Sequence, residues 1–141
     1  ALDEYTRKRV LRIADEKSTY QTAKFLENLE RELGFDIKKV QTDNGKEFTN
    51  SESDKKTLFE VKLEEKGIEY ETTRPYSPWE NGKVERSHRL DSKYYADKKF
   101  KSKEELLRAI RKYNTRYNNI SRKVLGFKSP NEVLKEYKEN Q

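Results

Sequence analysis

Two carboxylates, Asp43 and Glu85, have the types and settings that could do chemistry. Asp43 follows Ile37 to Thr42, a run that reads as a strand, and α/β sheets present their ligand sites beyond the carboxyl ends of strands. Asn44-Gly45 then lets the chain turn sharply, so that the carboxylate can face a crevice. Glu85 falls in the first turn of a predicted helix entered through a loop containing Pro75, Pro78 and Gly82. Each residue also has a plain structural explanation. Asp-Asn-Gly is a good turn, and an acid in a first helical turn is favoured by the helix dipole. Chemically, paired carboxylates suit a hard divalent cation, and the absence of cysteine removes any thiolate site.

The neighbours of Glu85 carry the complementary charge. At about 100° per residue, Arg86, Arg89 and Lys93 fall within about 100° of it on a helix. One face could therefore hold metal through Glu85 and phosphate through the cations. Arg89 is also an i,i+4 partner for Glu85, a pairing worth about 0.5 kcal/mol that can coexist with the first role. Asp91 lies roughly 120° round the helix and should point elsewhere. Glu80 sits in the loop, away from the motif position. His88, the only histidine, reads either as a contact to the same phosphate or as an ordinary partly buried side chain. Tyr76 and Trp79 either offer their rings for stacking on a flat ligand group or pack the loop against the core.

The elements that position these residues follow from local signals. Residues 8–14 read as a first strand. Ser18 caps a helix over 19–33, with Ala23, Leu26, Leu29 and Leu33 on one stripe and Gly34 beyond its end. Ile37 to Thr42 is the second strand, 46–56 a polar loop, 57–66 a short helix stopped by Gly67, and 68–72 a third strand. A helix without a strong apolar stripe runs from Lys83 to about Ala96. Ser102 and Glu105 form a capping box for the next, which carries Leu106, Ile110, Tyr113 and Tyr117 on one face. Ser129-Pro130-Asn131-Glu132 starts the last. This β-α-β-α-β order followed by helices implies an α/β fold with a mostly parallel sheet, and no repeat or second domain is evident.

Of the 141 residues, 31% are apolar and 41% charged, so the core must be lean, but 15 Phe and Tyr side chains and clear periodicity argue against disorder. No apolar run approaches membrane-spanning length, and the expectation is a soluble cytoplasmic protein. The net charge of +6 is unevenly spread: residues 1–105 hold 23 basic and 23 acidic side chains, whereas 106–131 hold seven basic and no acidic ones. Such a block attracts a phosphate backbone, although a solvated helix face explains it as well.

In combination these features are specific. Thr42-Asp43-Asn44-Gly45-Lys46-Glu47-Phe48, Gly67-Ile68, Arg74-Pro75-Tyr76-Ser77-Pro78 and Asn81-Gly82-Lys83-Val84-Glu85-Arg86 occur in this order, and the chain resembles the integrase-core family. It looks most like the transposases of bacterial insertion sequences and is more distantly similar to retroviral integrases. Further matches are Arg86-Ser87-His88-Arg89, Tyr117-Asn118, Leu125-Gly126-Phe127-Lys128-Ser129-Pro130 and Ala1-Leu2-Asp3-Glu4-Tyr5-Thr6-Arg7. The resemblance implies a ribonuclease H-like catalytic core that cleaves and joins DNA with an Asp, Asp, Glu triad. Asp43 matches the second Asp and Glu85 the Glu, both as metal ligands for Mg²⁺ or Mn²⁺, with two ions in the intact enzyme. DNA-contact candidates around the first turn are Asn44 and Lys46. Around the second they are Trp79, Asn81, Lys83 and Arg86, then His88, Arg89 and Lys93.

The family's first Asp lies on an opening strand with no counterpart here, so the chain reads as an N-terminally truncated core. Asp3 matches a different family position. Without that central strand, residues 8–14 are expected either to pair directly with 37–42 or to pair edges with a second copy, the homo-oligomer being favoured. The fragment by itself is expected to be largely inactive. The alternative is a non-catalytic DNA- or partner-binding module derived from a transposase core.

Overall fold

A computed structural model describes residues 1–50, 54–74, 82–96 and 98–141. The chain divides into two compact units, Ala14–Gly82 and a second built from Ala1–Ile13 with Lys83–Gln141.

In the Ala14–Gly82 unit, α1 (Thr19–Leu33) begins where the Ser18 hydroxyl accepts the Gln21 amide and ends at Gly34, whose φ of 89° needs the left-handed region. Its Ala23, Leu26, Leu29 and Leu33 are buried as their spacing predicts. Each fully buried leucine contributes about 1.5–3 kcal/mol of hydrophobic stabilisation. They pack on α2 (Leu58–Glu65), which starts with a reciprocal Thr57–Glu60 capping box and buries Phe59 and Leu63. Strands β1 (Lys39–Thr42) and β2 (Glu69–Thr72) flank α2 in sequence and pair in parallel, with Lys39 opposite Glu69 and Thr42 opposite Thr72. Phe48, Phe59 and Tyr70 form an edge-to-face chain beneath them, with centroids 5.3 and 5.7 Å apart.

The other unit is helical. It contains α3 (Gly82–Tyr95, entered from the preceding unit), α4 (Lys103–Asn119), a 3-10 turn (Lys123–Leu125) and α5 (Pro130–Glu139). Ser129 and Glu132 cap α5 reciprocally, with Pro130 in its first turn. The α4 start differs in detail from the expected box. Ser102 accepts the Glu105 amide, but the Glu105 carboxylate accepts from Lys101 N–H rather than from Ser102. Ile110, Tyr117 and Leu134 are buried here, and Tyr94 stacks on Tyr113 at 4.1 Å.

The expected strand over residues 8–14 does not form. Residues 1–3 and 8–10 make a short antiparallel hairpin, with Asp3 N–H bonded to Lys8 O at 2.8 Å, Val10 N–H to Ala1 O at 3.0 Å, and Leu2 bridging Arg9. In such a ladder Arg9 directs its own N–H and C=O outward. Asn118 of α4 takes both: its Oδ1 accepts Arg9 N–H at 2.8 Å and its Nδ2 donates to Arg9 O at 2.8 Å. One turn earlier, Asn114 accepts Leu11 N–H at 3.1 Å. Two helix amides thus satisfy the backbone that a neighbouring strand would have satisfied. Nor does this segment pair with 37–42, because the sheet among the described residues has two strands only.

Candidate functional site

Asp43 lies immediately after β1 in a turn held from several sides. Its Oδ1 accepts Gly45 N–H at 2.9 Å, and Asn44 Nδ2 donates to Thr73 O, just past β2, at 2.9 Å. Thr73 N–H bonds Thr42 O at 2.9 Å, which continues the strand pairing to the turn itself. Downstream, Thr22 donates to Glu47 O and Thr57 to Phe48 O, tying the turn to both helices of its unit. A Cβ at Gly45 would meet the Glu47 carboxylate at 2.6 Å, so a larger residue there would have to displace the end of that side chain. The Asp43 side chain is exposed, and Oδ2 remains open beyond the Gly45 bond. Asn44 therefore has a structural duty in addition to its place among the DNA-contact candidates, and Lys46 is exposed beside it.

Behind the turn, Tyr70 and Thr42 share a 2.6 Å hydroxyl hydrogen bond. Burial pushes the Tyr70 phenol above its ordinary value, opposed by the Thr42 bond and assisted by Glu60, Asp43 and Glu47.

Glu85 occupies the first turn of α3, exposed, with no ion pair among the described residues. The proposed Glu85–Arg89 pair is not formed. Arg89, Lys93 and His88 are exposed as well, and at 100° per residue they stand about 40°, 80° and 60° from Glu85. Lys83 and Arg86 belong to a different surface. They line a groove of about 330 Å³ with Arg7, Arg122 and Lys123, about 160° and 100° round α3 from Glu85. Asp91, expected only to point away from Glu85, pairs with Arg9 at 2.5 Å, a nearly closed ion pair whose side chains are 16% and 3% exposed. The Arg9 guanidinium also lies 4.0 Å from the Tyr117 ring centroid, as does that of Arg122.

Asp3 is occupied by its own turn, its Oδ2 accepting both the amide and the hydroxyl of Thr6 at 2.9 and 2.6 Å. That engagement accounts for its presence without a metal. Tyr76, Trp79, Glu80 and Asn81 lie outside the described residues. Sequence reasoning passed over Arg7 and the Tyr117–Arg9 stack, neither of which has a local signature. It noted Arg122 and Lys123 only as members of the basic block.

Both carboxylates are exposed and make no ion pair among the described residues, and Asp43 also has its backbone fixed by the turn, features that suit a hard-cation ligand. No helix among the described residues is long and apolar enough to cross a membrane.

Comparison with known proteins agrees with this architecture. Residues 66–123 match the family described as "Integrase core domain". Over 92% of its length the chain is 32% identical to "Putative integrase ORF3" of Spiroplasma virus SpV1-C74, and it spans about two fifths of that relative (39%). The crystal structure of the catalytic core domain of BIV integrase superposes with a TM-score of 0.61 at 24% identity, covering 92% of this chain and 80% of that one. The chain has an α/β integrase catalytic core-like fold, with a small parallel sheet and five α-helices among the described residues, and homology to the integrase core domain.

Proposed function

We propose that the chain is the catalytic core region of a DNA transposase or integrase, in which Asp43 and Glu85 are ligands of divalent metal. The observation that carries this reading is that each carboxylate, taken in its own unit, suits the role: the Asp43 turn is held from several sides, and Glu85 is exposed with no ion pair among the described residues, both at positions that the integrase-core pattern names. A bound Mg²⁺ or Mn²⁺ pair would activate the attacking oxygen and stabilise the leaving one. This chain's contribution is to aim Asp43 from the end of β1 and to surround Glu85 with Arg89 and Lys93, which hold phosphate beside it. Insertion-sequence transposition is the finer assignment suggested by the motif set, and the viral relative supports integration by the same chemistry. Assembly as a homo-oligomer belongs to this reading. The 141-residue chain itself carries two matched carboxylates, and we expect it to join DNA strands poorly.

Titration of the isotopically labelled chain with Mn²⁺ tests the site directly. Paramagnetic broadening is expected in residues 42–45 and 84–86 together at millimolar metal, and Asp43→Asn or Glu85→Gln should each abolish it at both segments without loss of stability. Broadening confined to one segment would refute the assignment of both as ligands. A second reading, a DNA-binding module without chemistry, is favoured by the basic groove on α3. Robust Mg²⁺-dependent DNA nicking lost in Glu85→Gln would exclude it.

A further inference from the structure

The groove on α3 presents five cations drawn from three separate segments: Arg7 in the hairpin turn, Lys83 and Arg86 on α3, and Arg122 and Lys123 after α4. No carboxylate lines it. Among the described residues Arg86, Arg122 and Lys123 have no acidic partner. The Lys83 ammonium stands 3.8 Å from Glu4, a side chain 77% exposed, and Arg7 donates to the Glu4 carbonyl. The Arg122 guanidinium rests against Tyr117, and its buried Nε has no hydrogen-bond acceptor. A buried donor left open in this way is uncommon and asks for an acceptor from elsewhere. Leu2, Leu90 and Val124 form the apolar part of the wall, on which a sugar ring can rest.

Position on α3 separates this surface from the carboxylate. Lys83, Arg86, Ser87 and Leu90 lie about 100–160° from Glu85 at 100° per residue, so one anion cannot be shared between the groove and Glu85. More positive charge gathers here than a single phosphate can neutralise. Successive phosphates of a strand passing along the groove supply the remaining negative charge.

We propose that this groove binds the phosphodiester backbone of duplex DNA on a side of α3 other than the one that carries Glu85, gripping flanking or target DNA independently of metal. The choice of DNA among polyanions rests on the function proposed above; the site itself rests on the groove.

The test is fluorescence-anisotropy titration of the full 141-residue chain with a duplex oligonucleotide in EDTA, repeated from 50 to 200 mM salt. Arg86→Ala with Lys123→Ala removes two exposed cations that hold no structural contact. This double variant should bind about tenfold more weakly, with a log–log salt slope smaller by about 2, because each phosphate contact contributes about 0.9. Arg122→Ala should weaken binding further, and a circular dichroism spectrum checks that it folds. Unchanged affinity and slope in the double variant would overturn the proposal. If Arg89→Ala with Lys93→Ala alone weakens binding, the groove assignment falls while the DNA reading stands. Binding of polyglutamate but not DNA by the wild type would overturn the DNA assignment, whereas loss of Mn²⁺ broadening with DNA binding intact would refute only the metal site.

Discussion

Asn118→Ala tests how the hairpin is held, and its cost can be worked from the contacts. Asn118 is 4% exposed and Arg9 2%, and the two hydrogen bonds between the Asn118 amide and the Arg9 backbone are both 2.8 Å long. Truncation strands a buried N–H and a buried C=O at once. At about 1–3 kcal/mol for each unsatisfied group, the loss is about 2–6 kcal/mol. Asn118→Asp keeps the acceptor for Arg9 N–H and loses the donor, so it should fall between the two. Asn114→Ala strands one half-buried amide, Leu11 N–H, and should cost about 1 kcal/mol. Urea unfolding followed by circular dichroism reads the totals. Because the chain has two compact units, a single transition need not report on both, and amide exchange supplies the local readout. In Asn118→Ala the Arg9 amide should exchange much faster, while in Asn114→Ala the Leu11 amide should do so. A loss under 0.5 kcal/mol in Asn118→Ala, or an Arg9 amide as protected as before, would refute the account of a helix amide standing in for a strand.

Two further substitutions probe the interior of the same unit. Asp91→Asn leaves the Arg9 guanidinium, 3% exposed, without its counter-charge; about 3 kcal/mol should be lost in urea unfolding, and a loss under 1 kcal/mol would show that Tyr113 and Tyr117 suffice to hold it. Tyr95 has a buried hydroxyl with no hydrogen-bond partner among the described residues, and its pKa is pushed up to about 12, first by burial and then by Tyr94, Asp91 and Tyr113. A phenol whose folded pKa exceeds its unfolded value of about 10 contributes stability below pH 10 that is lost as pH rises from 10 to 12. Tyr95→Phe should therefore flatten the fall in melting temperature over that window, in which Tyr70 and Tyr113 still titrate, and should be neutral or slightly stabilising at pH 8. A curve parallel to the wild type from pH 9 to 12 would refute the assignment.

What the residues themselves determine is local. The starts of α1, α4 and α5 follow from Ser18, Ser102 and Ser129 accepting nearby amides, and the buried stripe of α1 follows from its spacing. The Asp43 turn is likewise written in Asp-Asn-Gly, because each of these signals acts within four residues. Only the tertiary structure decides the rest. The pattern in 8–14 satisfies a strand, yet Asn118 lies 109 residues from Arg9, and a side-chain amide offers the donor and acceptor of a backbone without any strand signature. The basic block of 106–131 reads as one patch, but it divides in space. Arg122 and Lys123 enter the groove beside Tyr117, while Arg108, Arg111, Lys112 and Arg116 are exposed on the opposite side of α4. Likewise Arg86 looks like a neighbour of Glu85 by helical angle alone. Its place in the groove depends on Arg7 and Lys123, brought to it by a hairpin and a loop whose proximity no local pattern encodes.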